Sequence, residues 1–267
     1  MLVVKDGKDK LVFVHLPKCA GTFVNNLLQR MYPQSYRPFE HKDSAAQMHI
    51  PHYELESLSR IRKLRGLRNL VSFGTIRNPW DYYVSLYSFS KQVSHASWAK
   101  GNLYNKLGQP SSFAEFVERL VDPNRSIDER SVRRHYGDFF IRMDKLNAGV
   151  LTIRYLNMFY KKNVFGNSID YIKNNHEELT SVGRIIKCED IEQEMYGVLI
   201  SSGCKHNALK SYDKFSKFIN NKKIKRNESK RQHYREFYTN DLKDIVREKE
   251  RLIIDKYGYE FWSKFLL

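Results

Sequence analysis

Lys18 stands in a segment whose residue types suit the binding of a phosphate group. The segment, VHLPKCAGTF at residues 14–23, joins a predicted strand to a predicted helix. A helix N-terminus leaves backbone N–H groups without intrahelical partners, and its dipole favours an anion. Lys18 adds a mobile positive charge, Gly21 lets the backbone approach the anion, and Thr22 adds a hydroxyl donor. The order of residues is not that of a Walker A motif, and an ordinary strand–loop–helix turn is the alternative interpretation.

A second strand-to-helix junction follows at residues 75–87, TIRNPWDYYVSLY. Arg77 ends the predicted strand, and its planar guanidinium suits bidentate binding of a phosphate. Pro79 fits the first turn of a helix, where its missing N–H costs nothing. Ser85 lies about two helical turns beyond Arg77, where it meets the same ligand if the helix leans over the strand end. A buried amphipathic helix with an incidental Arg and Ser is the alternative, but the two junctions in this order favour a phosphate-binding pair.

These two motifs resemble those of the P-loop sulfotransferases, specifically the carbohydrate sulfotransferase branch. HLPKCAGT is similar to that family's 5′-phosphosulfate loop, and RNPWDYYVSLY to its 3′-phosphate motif. Weaker similarity continues through residues 186–191, 227–229, 234–238 and 255–259, whereas residues 92–180 match little. The resemblance implies direct in-line transfer of a sulfuryl group from 3′-phosphoadenosine 5′-phosphosulfate (PAPS) to an acceptor hydroxyl, with PAP as product and no metal required.

The same resemblance implies a set of residues that bind the 5′-phosphosulfate. Lys18 would also stabilise the bridging oxygen as it leaves, by analogy with phosphoryl transfer. Backbone N–H groups of the loop would add donors. Position 19 is usually a small hydroxyl or similar residue, and we interpret the cysteine as a loop filler because direct transfer uses no thiol. The loop residues are Lys18, Cys19, Ala20, Gly21, Thr22 and Phe23.

Two further groups are implied for the nucleotide. Arg77 and Ser85 would bind the 3′-phosphate. Lys225 and Arg226, with Lys230 close by, correspond to a segment that often contacts the nucleotide in the family. A solvated basic loop is the alternative for these last three residues.

The acceptor hydroxyl needs a general base, and histidine suits that role because its ordinary pKa lies near neutrality. His41 stands between the two motifs, where several glycan sulfotransferases carry a histidine, and we take it as the candidate base. His49, His52 and the carboxylate of Glu40 stay open. His15 precedes the first loop and is expected to point along its strand.

Hydrophobic periodicity indicates an α/β fold, with a central parallel sheet flanked by helices on both faces. Residues 92–111 and 203–230 are polar and predict a surface excursion and a loop connection. We expect one sulfotransferase-like domain over residues 1–267, in which 92–180 form a mainly helical insertion on the acceptor side. The predicted strands span 12–15, 70–76 and 182–187. Predicted helices begin near residues 21 and 79, and others span 113–120, 148–160 and 190–201. A long C-terminal helix is predicted to begin at Thr239.

Composition limits the class of protein further. The 267 residues carry 46 Lys+Arg and 30 Asp+Glu, a formal charge of +16, which suits a nucleotide and an anionic glycan but chooses no partner alone. The three cysteines are too few for a disulfide framework, and no apolar run is long enough to span a bilayer. We therefore expect a cytoplasmic protein without a membrane span and without a nucleic-acid partner. A nucleotide-dependent kinase and a noncatalytic nucleic-acid-binding protein are the rival classes. A sulfotransferase that acts on a lipid, a small metabolite or a protein tyrosine rather than on a carbohydrate is a further alternative. Neither the acceptor nor the oligomeric state can be read from the sequence.

Overall fold

The computed structural model describes residues 1–6, 8–37, 71–95, 103–121, 129–222, 224 and 232–262. Its strands are β1 (Leu2–Asp6), β2 (Lys8–Val14), β3 (Val71–Ile76) and β4 (Arg184–Lys187). Its longer α-helices are α1 (Gly21–Met31), α2 (Pro79–Gln92), α4 (Phe113–Val121), α5 (Glu129–Leu146), α6 (Val150–Phe159), α9 (Ile191–Ser201), α10 (Tyr212–Asn221) and α11 (Asn240–Lys249). Shorter helices are α3 (Leu103–Lys106), α7 (Ile169–Asn174), α8 (His176–Leu179) and α12 (Arg251–Tyr257).

The four strands form one sheet in the order β1-β2-β3-β4. The pairs β2–β3 and β3–β4 are parallel, as the sequence predicts. At one edge the structure adds β1, a strand that was not predicted, which runs antiparallel to β2. Only one residue separates these two strands in the sequence, and a parallel pair needs a crossover of a dozen residues or more.

Alternate residues of the central strands feed two separate hydrophobic clusters, one on each face of the sheet. Val12 and Val14 belong to the cluster that includes α2 and α6, whereas Leu11 and Phe13 belong to the cluster that includes α1, α9 and α10. This period of two is the pattern of a strand buried on both faces. Helices therefore flank the sheet on both sides, as predicted.

Two segments contain helices where the sequence predicts loops. The expected excursion at 92–111 contains α3, and Leu103 and Leu107 are buried in the core. The expected polar connection at 203–230 contains α10, which buries Phe215. In both segments a few apolar residues within a polar composition are enough to hold a helix against the core. None of the described helices is long and apolar enough to cross a membrane.

The predicted long C-terminal helix is interrupted at Glu250, between α11 and α12. Its start is confirmed, since Thr239 caps α11 by accepting from the N–H of Leu242. The wholly buried Glu250 carboxylate accepts hydrogen bonds from the N–H groups of Leu151 and Thr152, the Thr152 hydroxyl and the Tyr83 hydroxyl. It caps the N-terminus of α6 and joins that helix to α2, an arrangement that sequence periodicity does not reveal.

Burial raises the pKa of Glu250 from 4.5 to about 7, although its hydrogen bonds oppose the shift. The native state therefore binds this proton more tightly than the unfolded chain, and the stability that Glu250 confers falls as the pH rises between these values.

Glu250→Gln tests this pH dependence. We expect the difference in the free energy of unfolding, wild type minus variant, to decrease from about pH 4.5 to about pH 7. Urea unfolding across this range measures it, and a difference that does not change with pH would contradict the assignment.

Candidate nucleotide-binding site

The parallel strands β2, β3 and β4 end at the same edge of the sheet, where ligands bind in open α/β folds. Val14 pairs with Gly74, and Ile76 pairs with Lys187. The segments that leave these three ends are therefore neighbours. They contain both motifs that the sequence singled out, residues 15–20 after β2 and residues 77–78 after β3.

The first segment is a tight turn followed by an open helix start. The N–H of Cys19 donates to the Leu16 carbonyl across the turn, so this N–H is used within the loop. Pro17 at the second position and a positive φ of 67° at Lys18 are the pattern of a type II turn. Ala20, also at positive φ, precedes α1, whose N-terminus has no side-chain cap and no acidic residue in its first turn. Successive turns of this kind aim backbone N–H groups into a concavity suited to an anion.

The second segment is bonded directly to the first. Nη1 of Arg77 donates to the carbonyl oxygen of Lys18 at 3.2 Å. A second hydrogen bond joins the same two segments. The buried hydroxyl of Thr75 in β3 donates to the carbonyl oxygen of Cys19 at 2.5 Å. The two junctions thus form one continuous surface.

Arg77 is held in place by Asp81, in the first turn of α2. Both Nε and Nη2 of Arg77 lie 2.5 Å from Oδ2 of Asp81. Burial lowers the pKa of Arg77, but the Asp81 carboxylate, together with Cys188 and Cys19, more than offsets this, and the pKa is raised overall. The guanidinium is therefore a fixed positive charge with a defined orientation.

The turn between β3 and α2 is fixed by the buried side chain of Asn78 and the half-buried side chain of Glu189. Asn78 caps α2, because its Oδ1 accepts from the N–H groups of Trp80 and Asp81. The N–H of Asn78 itself donates to Oε1 of Glu189 at 2.6 Å, and the Tyr259 hydroxyl donates to Oε2. Glu189, which follows β4, orders this turn by accepting hydrogen bonds.

One face of α2 is directed toward the first turn. Tyr82, Ser85 and Phe89 are three and four residues apart, and such positions share a helix face. The ammonium of Lys18 lies 3.9 Å from the centroid of the Phe89 ring, within the range of a cation–π contact. Ser85 is buried with 8% exposure, and its hydroxyl makes no hydrogen bond to any residue that the structure describes. Lys18 and Ser85 are therefore brought to the same side of α2.

We compared the sequence with models of known protein families. The model of the sulfotransferase family matches residues 2–261. The chain belongs to the sulfotransferase family. Searches of curated proteins and of solved structures returned no match.

His15 contacts the start of α1. Its ring packs against Gly21, where an added Cβ would lie 1.9 Å from Cδ2 and Nε2 of the imidazole. His15 is half-buried, and its ring also stacks against Phe13 of β2, with 6.0 Å between the ring centroids. A glycine at position 21 is therefore required by this close approach.

The remaining predicted residues divide into two groups. In the first loop, Thr22 is exposed and Phe23 is 2% exposed within the hydrophobic cluster, so Phe23 can offer only its backbone. Cys19 is buried as a free thiol. His41, Lys225 and Arg226 lie outside the described residues, as do the alternatives Glu40, His49, His52 and Lys230. In the described part of the chain, no group of His, Cys, Asp or Glu could hold a metal ion.

Sequence reasoning missed three contributors to this edge: Thr75, Asp81 and Phe89. The four-residue spacing of Arg77 and Asp81, and of Ser85 and Phe89, was a usable signal. The contact of Thr75 with Cys19 spans 56 residues, and no local pattern could reveal it.

The contact between His15 and Gly21 leads to a prediction about stability. Gly21→Ala should lower the free energy of unfolding by about 1–3 kcal/mol, because the new methyl group overlaps the imidazole. In a His15→Ala background the same change should cost much less, since the ring is gone. Urea unfolding of the two single variants and the double variant gives the coupling. Additive effects would show that the ring and the glycine are not in contact.

Proposed function

We propose that the chain transfers a sulfuryl group from PAPS to a hydroxyl of a carbohydrate acceptor. Membership of the sulfotransferase family supports the reaction class. The observation that carries the proposal is the bond between Arg77 and the Lys18 backbone, which joins the two phosphate-binding motifs at one sheet edge. A nucleotide with phosphates at both its 3′ and 5′ positions needs two anion sites side by side.

The residues at this edge fit such a donor. The uncapped start of α1 and the ammonium of Lys18 suit the 5′-phosphosulfate. The fixed guanidinium of Arg77 and the hydroxyl of Ser85, which is buried and has no hydrogen-bond partner among the described residues, suit the 3′-phosphate. When bound, PAPS supplies the sulfuryl group that is transferred.

Lys18 is the group that we assign to charge neutralisation. Its ammonium lies over the Phe89 ring at the first turn, and from there it would approach an oxygen that gains negative charge. The buried, hydrogen-bonded surroundings of the two turns keep this charge away from bulk water, where it would be screened. Lys225 and Arg226 would add positive charge over the nucleotide.

His41 is our candidate for the general base that accepts the proton of the acceptor hydroxyl. His15 is the histidine that the described residues place at the first turn, against Gly21. It is the alternative base that a test has to include. Residues 92–180 would shape the acceptor side of the cleft, and they include α6, which packs on β3 through Phe159 and Gly74.

Transfer of labelled sulfate from PAPS to a panel of glycans, lipids and phenols tests the proposal. We expect glycans to be the best acceptors, and Lys18→Ala to lower kcat about 10²–10³-fold because charge on the leaving oxygen is no longer neutralised. Lys217→Ala, an exposed lysine of α10, is the matched control and should leave kcat unchanged. Retained turnover in Lys18→Ala would remove its assigned role, and preference for a lipid or a phenol would replace the carbohydrate.

A separate prediction concerns the base. His41→Ala should lower kcat about 10²–10⁴-fold and should remove the fall in activity on the acidic side of the pH profile, because the protonated imidazole cannot accept a proton. His15→Ala, measured in parallel, should keep that acidic limb. If the two variants behave the other way round, His15 is the base.

A further inference from the structure

Arg154 carries a buried positive charge. It lies on α6 with only 6% of its surface exposed. No ion pair in the described part of the chain includes Arg154, and its Nε is enclosed without a hydrogen-bond partner. Nη1 donates to the hydroxyl of Tyr82. A buried charge is costly unless it is paired, so an arginine in this state is expected to bind an anion that is not part of the protein.

The groups around Arg154 do not supply that anion. Burial raises the pKa of Tyr82 to about 12, although Arg154 opposes the shift, so the phenol stays neutral. Glu250 lies one turn back along α6, but its two oxygens already accept four hydrogen bonds from Tyr83, Leu151 and Thr152. Asn157, one turn further on, uses its Oδ1 to accept from Arg142. Among the described residues, the acidic and polar side chains near Arg154 are thus engaged with other donors rather than with its guanidinium.

The position of Arg154 connects it to the candidate site. Its partner Tyr82 lies on the same face of α2 as Ser85 and Phe89, and Phe89 contacts the ammonium of Lys18. Tyr82 and Cys19 are also both wholly buried in the same hydrophobic cluster. The guanidinium therefore stands at one end of the face that borders the first turn.

We propose that Arg154 binds an oxyanion of the acceptor, a carboxylate or a sulfate ester, beside the hydroxyl that is sulfated. This rests on the proposed function and names the acceptor as an acidic glycan. The guanidinium fork matches both oxyanions in a bidentate manner, whereas a neutral sugar leaves the buried charge unpaired. Discrimination between acidic and neutral acceptors would come mainly from the free-energy cost of leaving this buried charge unpaired.

Calorimetry with two matched oligosaccharides tests whether Arg154 binds an acidic acceptor. One oligosaccharide contains uronate groups, and the other is its carboxyl-reduced neutral form. Sulfated and unsulfated forms of the neutral sugar distinguish a sulfate ester from a carboxylate as the bound group. The wild type should favour the anionic member of at least one pair by about 10- to 100-fold, as expected for a charge-assisted bidentate contact. Arg154→Met should abolish most of this preference. Arg184→Met, an exposed arginine of β4 paired with Glu194, is the control and should keep it.

The variant should fold, because methionine fills similar space and carries no buried charge; a melting temperature at or above that of the wild type would agree with this. Arg154→Lys, which keeps the charge but not the fork, carries the same test and should lose part of the preference. A wild type that binds neutral and acidic sugars equally, or an Arg154→Met variant that discriminates like the wild type, would overturn the proposal.

Binding of PAP, measured without an acceptor, separates the proposed function from the proposed role of Arg154. An unchanged PAP affinity in Arg154→Met supports an acceptor role, whereas a parallel loss would place Arg154 in the nucleotide site and overturn it. If the wild type does not bind PAP at all, the proposed function fails, while the saccharide preference still reports on Arg154 by itself.

Discussion

The bond from Arg77 to the carbonyl oxygen of Lys18 is the interaction on which the candidate site depends. It exists because β2 and β3 are parallel and in register, with Val14 opposite Gly74. A shift of two residues in this register would move the second turn about 7 Å along the first. The hydrogen bond of Thr75 to Cys19 fixes the same alignment from the strand side. The sheet thus turns two distant motifs into a single surface.

Three buried or half-buried acidic side chains hold the elements around this surface. Asp81 orients Arg77, Glu189 accepts from the backbone of Asn78, and Glu250 caps α6 and bonds to α2. Each carboxylate is costly to bury and is retained where it satisfies donors that would otherwise be unpaired. Arg154 is the exception, a buried charge without such a partner among the described residues, and for that reason it points to a ligand.

Much of this arrangement could be predicted from the sequence. Local signals were sufficient for the start of α1 at Gly21, for the first turn of α2 at Pro79, and for the Thr239 cap, since each rests on neighbouring residues. The antiparallel β1 was missed because its pairing depends on tertiary contacts rather than on its own short pattern. The break at Glu250 was missed for the same reason, because a helical periodicity continues through it. The orientation of His15 follows from packing against Gly21, which no spacing rule encodes.

The central claim is that the two turns hold opposite ends of one nucleotide. Calorimetry with adenosine 3′,5′-bisphosphate, adenosine 5′-monophosphate and adenosine 3′-monophosphate, using Ser85→Ala and Lys18→Ala, tests it most directly. The account predicts that Ser85→Ala weakens only ligands with a 3′-phosphate and that Lys18→Ala weakens only those with a 5′-phosphate, since each side chain meets one end. Equal losses for all three nucleotides in both variants would contradict it.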